Sequence, residues 1–153
     1  MRRHLSPCVD ILAYCLMPNH FHFLVYTNEK SCAEVLAKTT GLRNYCQQKL
    51  SKEIGCLLSG YTKAINKQEN RTGALFRPRT KQKECFYEGF EVVGEQDRME
   101  YALNCFHYIH NNPVAARLVR NEMDWVYSSA KDYAQVRNGT LCQQALTKQL
   151  NLV

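Results

Sequence analysis

Two histidines stand on either side of one phenylalanine in residues 16–25, where the chain reads LMPNHFHFLV. The run is apolar and strand-like, and a proline separates it from the apolar residues before it. Successive side chains of an extended strand point to opposite faces, so His20 and His22 share a face and can share one metal ion. The spacing therefore predicts a strand that carries part of a metal site.

The residues around this motif predict a β-hairpin. Residues 9–16 and 20–27 both have the composition of strands, and residues 17–19 form a short turn between them. On the second strand Leu24 and Tyr26 share the histidine face, whereas Phe21, Phe23 and Val25 share the other. We expect the aromatic face to lie against the core.

Helical spacing of apolar residues follows the hairpin. It predicts helices over residues 31–50 and 57–67, and a third helix that begins near Asp97 as its cap. The third helix is expected to stop at Asn112, because Pro113 disfavours helical geometry in the residue before it. Residues 125–133 and 143–150 add helical or loop packing. A chain of 153 residues without repeats fits one domain, residues 1–153.

Tyr108 and Asn112 are four residues apart near the end of the third predicted helix, so they share one helix face. A tyrosine phenol is almost fully protonated at neutral pH and is a weak nucleophile without a nearby activating group. Asn112 has a simpler interpretation as a residue that ends the helix before a proline. Other tyrosines lie nearby, and the four-residue offset from Asn112 is what selects Tyr108.

Positive charge is concentrated in the middle of the chain. The net charge is +6, and residues 37–83 carry eleven lysines or arginines and two acids. This distribution favours a surface that binds a polyanion, with a solvated helix surface as the alternative. Four of these cations alternate at period two, so a strand would place them on one face: Arg77, Arg79, Lys81 and Lys83. Pro78 favours an edge strand or a bulge, and a loop is the alternative.

The eight cysteines are scattered, with no Cys-x-x-Cys pair and no secretory signal ahead of them. We therefore expect reduced, mostly buried thiols in a cytoplasmic protein, without a zinc site. No apolar run approaches the roughly 20 residues of a membrane-spanning helix, which predicts a soluble protein with no membrane partner.

Taken together, the motifs resemble those of HUH-type single-strand transposases with one catalytic tyrosine, in particular the REP-associated tyrosine transposases. The similarity runs from about residue 9 to about residue 142. The matching segments, in chain order, are residues 16–22, 61–63, 70–76, 108–114 and 125–129. Each short motif is weak alone, but together and in this order they are specific.

The resemblance implies an α+β fold, a ferredoxin-like or RRM-like antiparallel sheet with helices on one face. It implies a transposase that nicks single-stranded hairpin DNA, with Tyr108 as the nucleophile and a 5′-phosphotyrosine intermediate. His20, His22 and the amide oxygen of Asn112 would hold Mg²⁺ or Mn²⁺, and this mixed donor set suits manganese at least as well. DNA would be bound by Arg71, Arg77, Arg79, Lys81 and Lys83.

The aromatic and histidine neighbours of these residues have less specific roles. Tyr61 and Phe76 either stack on exposed bases or fill the core, and core packing is the preferred interpretation. His107 and His110 flank Tyr108 without matching the ligand positions of the family. We expect both of these histidines on the surface or close to bound DNA.

The chain departs from the family at its start, because members have a first strand and helix before the hairpin and only residues 1–8 precede it here. The expected sheet would lack its central strand. A misassigned start, a decaying gene or a strand supplied by another chain would explain this. The main alternative function is therefore a catalytically inactive hairpin-DNA-binding protein, truncated or domesticated. A metal-dependent hydrolase ranks last, and monomer and homodimer both stay open.

Overall fold

The computed structural model describes residues 1–37, 45–76, 80–85 and 95–153. It has a mixed α+β architecture and divides into two compact units, Met1–Asp10 with Val25–Pro78 and Ile11–Leu24 with Arg79–Val153. The elements in chain order are β1 (Val9–Leu16), β2 (Phe21–Thr27), α1 (Glu29–Cys32), β3 (Glu34–Ala37), β4 (Tyr45–Gln48), α2 (Lys49–Gln68), α3 (Glu95–Ala115), a 3₁₀ turn (Glu122–Asp124), α4 (Ala130–Tyr133) and α5 (Gln144–Gln149).

The predicted hairpin is confirmed. β1 and β2 pair in a two-stranded sheet, and the backbone N–H of Met17 donates to the carbonyl of His20 at 2.9 Å. Pro18 lies exposed between these two residues, where its missing N–H costs no strand pairing. A connection this short joins only antiparallel strands, since a parallel pair needs a crossover of a dozen or more residues.

The first unit corrects the helix predicted over residues 31–50. Asn28 caps the short α1, and Ala33 then leaves the helix with an extended ψ of 130°. β3 and β4 pair antiparallel with Glu34 opposite Gln48, because strand pairing overrides a weak helical spacing. The helix predicted over residues 57–67 is confirmed within the longer α2, which stops where Asn70 adopts a left-handed φ of 47°.

The second unit has a core in which side chains from the hairpin meet one face of α3. The hairpin contributes Leu12 and Leu24, and α3 contributes Ala102, Phe106 and Ile109. Leu24, on the histidine face of β2, is only 7% exposed, whereas Phe21 and Phe23 are half-buried. The prediction that the aromatic face is the core face is therefore wrong, because α3 packs on the histidine side.

α3 also continues past the predicted stop. It runs from Glu95 to Ala115 with Pro113 inside it, and the carbonyl of Pro113 still accepts the N–H of Leu118 at 2.9 Å. The ring of Pro113 is fully buried. A proline without an N–H removes a single helical hydrogen bond, to Ile109, and burial of the ring offsets that loss.

The edge of β1 is covered by the segment that follows the 3₁₀ turn. Leu16 donates its N–H to the carbonyl of Tyr127 at 2.9 Å, and Ser129 donates its N–H to the carbonyl of Tyr14 at 3.0 Å. Arg137 holds this segment in place, since it donates to the carbonyl of Ser128 at 2.6 Å and to the buried Asp132 carboxylate. No helix among the described residues is long and apolar enough to cross a membrane.

Candidate active site

His20 and His22 lie side by side at the start of β2, with ring centroids 4.9 Å apart and planes at 88°. His20 is exposed, and its Nδ1 lies 2.6 Å from the side-chain oxygen of Asn19. A carbonyl oxygen only accepts, so this contact fits the tautomer of His20 in which Nδ1 carries the proton. In that neutral tautomer Nε2 is the ring nitrogen that can bind a metal.

His22 has a buried ring nitrogen. Its Nε2 is inaccessible to solvent and has no hydrogen-bond partner within the described part of the chain. Burial and the nearby His20 lower the pKa of His22, so its imidazole is neutral at neutral pH. Buried polar atoms in proteins are nearly always paired, and an unpaired one calls for an explanation. A ligand on Nε2 is such an explanation.

Tyr108 reaches the same place from α3. Its ring centroid lies 5.5 Å from that of His22 with the planes at 83°. Phe106 and Ile109 turn toward the core, so the helical period leaves Tyr108 outside it, with 61% of the residue exposed. The structure therefore brings an accessible phenol against the half-buried histidine of the predicted metal pair.

Asn112 follows Tyr108 by one helical turn, on the same face of α3. It is half-buried, and its Nδ2 is the second buried side-chain atom of this unit without a partner in the described ranges. An amide can turn so that either its oxygen or its nitrogen occupies that position. Both elements of the predicted site thus carry an unpaired buried polar atom, which fits a missing ligand.

The donor set is unusual for a metal site. Two imidazoles and one amide oxygen suit a borderline cation such as manganese at least as well as magnesium, which prefers oxygen ligands. The described residues contain no cluster of three or more His, Cys, Asp or Glu side chains placed to hold a metal. The predicted set of His20, His22 and Asn112 includes an amide, so it is not such a cluster.

The prediction that His110 lies on the surface or close to bound DNA is wrong. It is only 4% exposed, and its Nε2 lies 2.7 Å from Oγ of Ser129. Burial, followed by the influence of His107, lowers the pKa of His110 to about 4. His110 follows Phe106 by four residues, so the helical period could have predicted that both lie on the core face of α3. No nearby sequence pattern predicts that Ser129 is its hydrogen-bond partner. His107 is exposed, as expected.

The predicted DNA-binding residues are only partly described. Arg71 is exposed in the first unit, and Lys81 and Lys83 are exposed in the second. Arg77 and Arg79 lie outside the described residues. Residues 80–85 form no strand, which favours the loop interpretation for this part of the alternating segment.

One aromatic prediction also changes. Tyr61 is 50% exposed and lies 5.9 Å, between ring centroids, from the half-buried Phe76. The preferred interpretation of Tyr61 as a core residue is therefore wrong. Tyr133 is unsuited to be the nucleophile, because its hydroxyl bonds to the carbonyl of Leu12 and burial raises its pKa. Comparison of the chain with models of known protein families, with curated proteins and with solved structures gave no match.

Proposed function

We propose that the chain is a metal-dependent DNA transposase of the HUH type, in the REP-associated tyrosine transposase branch. It would nick single-stranded hairpin DNA and transfer the strand through a 5′-phosphotyrosine. The observation that carries this proposal is the contact of the exposed Tyr108 with His22, whose Nε2 is buried and unpaired within the described ranges. The proposed fold is a ferredoxin-like sheet of which β1 and β2 form one hairpin.

Nicking replaces one ester bond to the phosphorus by another. The Tyr108 oxygen attacks phosphorus in line, and the bond between phosphorus and the 3′ oxygen breaks. The phenol loses its proton to solvent, and the departing oxygen gains one and becomes a free 3′-hydroxyl. Attack by a 3′-hydroxyl on the phosphotyrosine reverses the step and joins the strands without an outside energy source.

The residues around Tyr108 would position and activate the reacting groups. His20 just before β2, His22 within it and Asn112 on α3 would hold the divalent ion, which supplies Lewis acidity toward the phosphodiester when bound. Tyr108 and Asn112 stand on one rigid helix, so the nucleophile and one ligand keep a fixed separation. The Asn19 side chain contacts Nδ1 of His20 and would favour the tautomer that leaves Nε2 for the ion.

DNA would be gripped by charge and by stacking. The exposed cations Arg71, Lys81 and Lys83 suit phosphate contacts, which give affinity without sequence information. The half-exposed ring of Tyr61 suits stacking on an unpaired base.

One observation favours the alternative of a hairpin-DNA-binding protein without catalytic activity. Within the described ranges β2 pairs with β1 alone, in a sheet of two strands, whereas the family resemblance implies a larger sheet. An incomplete sheet would hold the histidines less rigidly against Tyr108. Binding through exposed cations does not need that rigidity.

The decisive experiment mixes the protein with a labelled single-stranded hairpin oligonucleotide and manganese. The wild type is expected to give a covalent protein–DNA species that survives denaturing electrophoresis. Tyr108→Phe keeps the ring and its packing but removes the attacking oxygen, so it should bind the oligonucleotide normally and give no adduct. Tyr127→Phe is the matched control, because Tyr127 is similarly exposed, at 59%, and lies against Trp125 rather than a histidine.

Peptide mapping completes the experiment. Trypsin releases Tyr108 in the peptide of residues 99–117, and fragmentation of that peptide distinguishes it from Tyr101. A retarded but uncleaved oligonucleotide would support the binding-only alternative. An adduct on another tyrosine, or an adduct formed by Tyr108→Phe, would refute the proposed nucleophile.

A further inference from the structure

A lysine of the second unit lies over a tyrosine ring of α3. Nζ of Lys83 is 4.2 Å from the ring centroid of Tyr101, a cation–π contact between residues 80–85 and the helix. Tyr101 is half-buried, whereas Lys83 is exposed. The ring therefore holds the ammonium on one side and leaves it accessible to a ligand on the other.

Tyr101 and Tyr108 lie on one face of α3. Seven residues make nearly two turns of an α-helix, so the two residues are about 20° apart around the axis and about 10 Å apart along it. Asn112 follows on the same face, one turn beyond Tyr108. The ammonium of Lys83 thus stands at one end of a helix face whose other end carries the proposed nucleophile.

The helix between these two ends has no negative charge. Residues 101–112 read YALNCFHYIHNN and contain neither Asp nor Glu. Their exposed side chains can all donate a hydrogen bond, and they are Asn104, His107, Tyr108 and Asn111. A phosphate chain along this stretch would meet a cation and neutral donors, and no carboxylate within the stretch would repel it.

Lys83 differs from Lys81, the other exposed lysine of residues 80–85. Within the described ranges, Lys83 is the one of the two that contacts an aromatic ring. A lysine free in solvent loses side-chain entropy when it binds a phosphate, whereas a lysine already held over a ring loses less. The simpler interpretation, a lysine that only covers a ring, does not require the ring to share a face with Tyr108.

We propose that Lys83 binds a backbone phosphate of the substrate strand close to the cleaved one, and that Tyr101 is the positioning residue that holds its ammonium there. The strand would run along the exposed face of α3 toward Tyr108. Even a stacked strand advances about 3.4 Å per phosphate, so a separation of roughly 10 Å puts the bound phosphate within about three nucleotides of the cleaved bond. This inference rests on the proposed function, because attack by Tyr108 defines the cleaved bond.

The first measurement is binding without cleavage, in protein that carries Tyr108→Phe. Fluorescence anisotropy follows a labelled single-stranded hairpin oligonucleotide at several salt concentrations. Lys83→Gln should reduce the slope of log affinity against log salt by roughly 0.7, the value for one phosphate contact to a single strand. Lys148→Gln is the matched control, because it removes the same charge from an exposed position on α5 and should leave the slope unchanged.

Variants of Tyr101 test the positioning role in the same binding assay. Tyr101→Phe keeps the ring face under the ammonium and should leave the affinity unchanged, whereas Tyr101→Leu removes that face and should weaken binding about threefold. Urea denaturation checks that each variant is folded. Equal binding by the two variants would refute the role given to Tyr101.

The second measurement locates the phosphate, in protein that retains Tyr108. The covalent adduct identifies the cleaved bond, and oligonucleotides with one uncharged methylphosphonate at each neighbouring position are then compared. At the phosphate that Lys83 binds, the methylphosphonate should slow adduct formation by the wild type but not by Lys83→Gln, which has already lost that contact.

The two measurements distinguish a failure of this inference from a failure of the proposed function. An adduct together with an unchanged salt slope in Lys83→Gln would overturn the inference and leave the nucleophile intact. Identical methylphosphonate profiles for Lys83→Gln and the wild type would do the same. The absence of any adduct would refute the proposed function and, with it, the place given to the phosphate.

Discussion

The two inward histidines of the second unit, His22 and His110, show how differently the same side chain can be used. His110 is almost fully buried and bonds to Ser129 at 2.7 Å, with aromatic rings of Phe106 and Tyr133 around it. His22 is half-buried, and its Nε2 is also out of contact with solvent but has no partner in the described residues. Burial lowers the pKa of both, so both are neutral near pH 7.

The contrast separates a histidine that stabilises the fold from one whose proposed role is to bind a metal. Ser129 accepts the N–H of Tyr14 at 2.9 Å and also contacts His110, so His110 completes a network that joins α3 to the edge of β1. His22 contacts the rings of His20 and Tyr108, but its Nε2 joins no hydrogen-bond network among the described residues. A neutral imidazole with an unpaired buried nitrogen costs stability unless another group binds it.

The largest expected effect comes from His22→Ala. If His22 is a ligand, cleavage of hairpin DNA should fall about a thousandfold, since a catalytic metal contributes several kcal/mol to the transition state. The free energy of unfolding without metal should change by less than about 1 kcal/mol, because an unpaired buried nitrogen is removed with the ring. Gel assays and urea denaturation measure the two effects.

The stability of both proteins in the presence of manganese provides a second test of His22 as a ligand. At a concentration about ten times its dissociation constant, it should stabilise the wild type by about 1.4 kcal/mol and His22→Ala by much less. Near-normal cleavage by His22→Ala, or equal stabilisation of both proteins, would mean that His22 is no ligand.

The next effect concerns stability alone. His110→Ala should lower the free energy of unfolding by about 3 kcal/mol, because it opens a cavity and leaves Ser129 with one partner fewer. His107→Ala is the control on the same helix, and its exposed side chain predicts a change within about 0.5 kcal/mol. Urea denaturation at pH 8 compares the three proteins. Equal losses in both variants would contradict the role given to His110.

The smallest effect is the pH dependence of the same site. The folded-state pKa of His110 is about 4, below the 6.5 of an unperturbed histidine, so the unfolded chain binds more protons between these two values. The stability linked to His110 is complete above about pH 6.5 and is lost as the pH falls toward 4, by about 2 kcal/mol at pH 5.

Urea denaturation between pH 8 and pH 5 should show this slope in the wild type. His110→Gln keeps a polar group toward Ser129 but cannot titrate. Between pH 8 and pH 5 its free energy of unfolding should therefore decrease by about 2 kcal/mol less than that of the wild type. A parallel decline in the two proteins would show that the acid sensitivity arises elsewhere.

Much of the site follows from short-range spacing. The hairpin around Pro18, the shared face of His20 and His22, and the four-residue offset of Tyr108 and Asn112 are all local patterns. Each depends on a strand or helix period, which the sequence displays directly. The hairpin is confirmed, whereas the roles of His20, His22, Tyr108 and Asn112 stay predictions.

The sequence predictions were wrong where contacts with residues distant in sequence determine the structure. The residues of β3 have helical spacing, but pairing with β4 determines their structure. Which face of β2 is buried depends on where α3 packs, and Leu24 rather than Phe23 meets that helix. α3 continues through Pro113 because the proline ring is buried by the rest of the unit. None of these partners is adjacent in sequence.

The single tryptophan of the chain has an optical consequence. The indole Nε1 of Trp125 donates to the carbonyl of Leu16 at 2.9 Å, directly before the turn that leads to His20. Light absorbed at the red edge of the aromatic band excites this indole alone, so its emission wavelength reports the hydration and geometry of the hairpin end. The protein thus carries an intrinsic fluorophore next to the proposed site, and titration with metal or DNA can be followed on unlabelled protein.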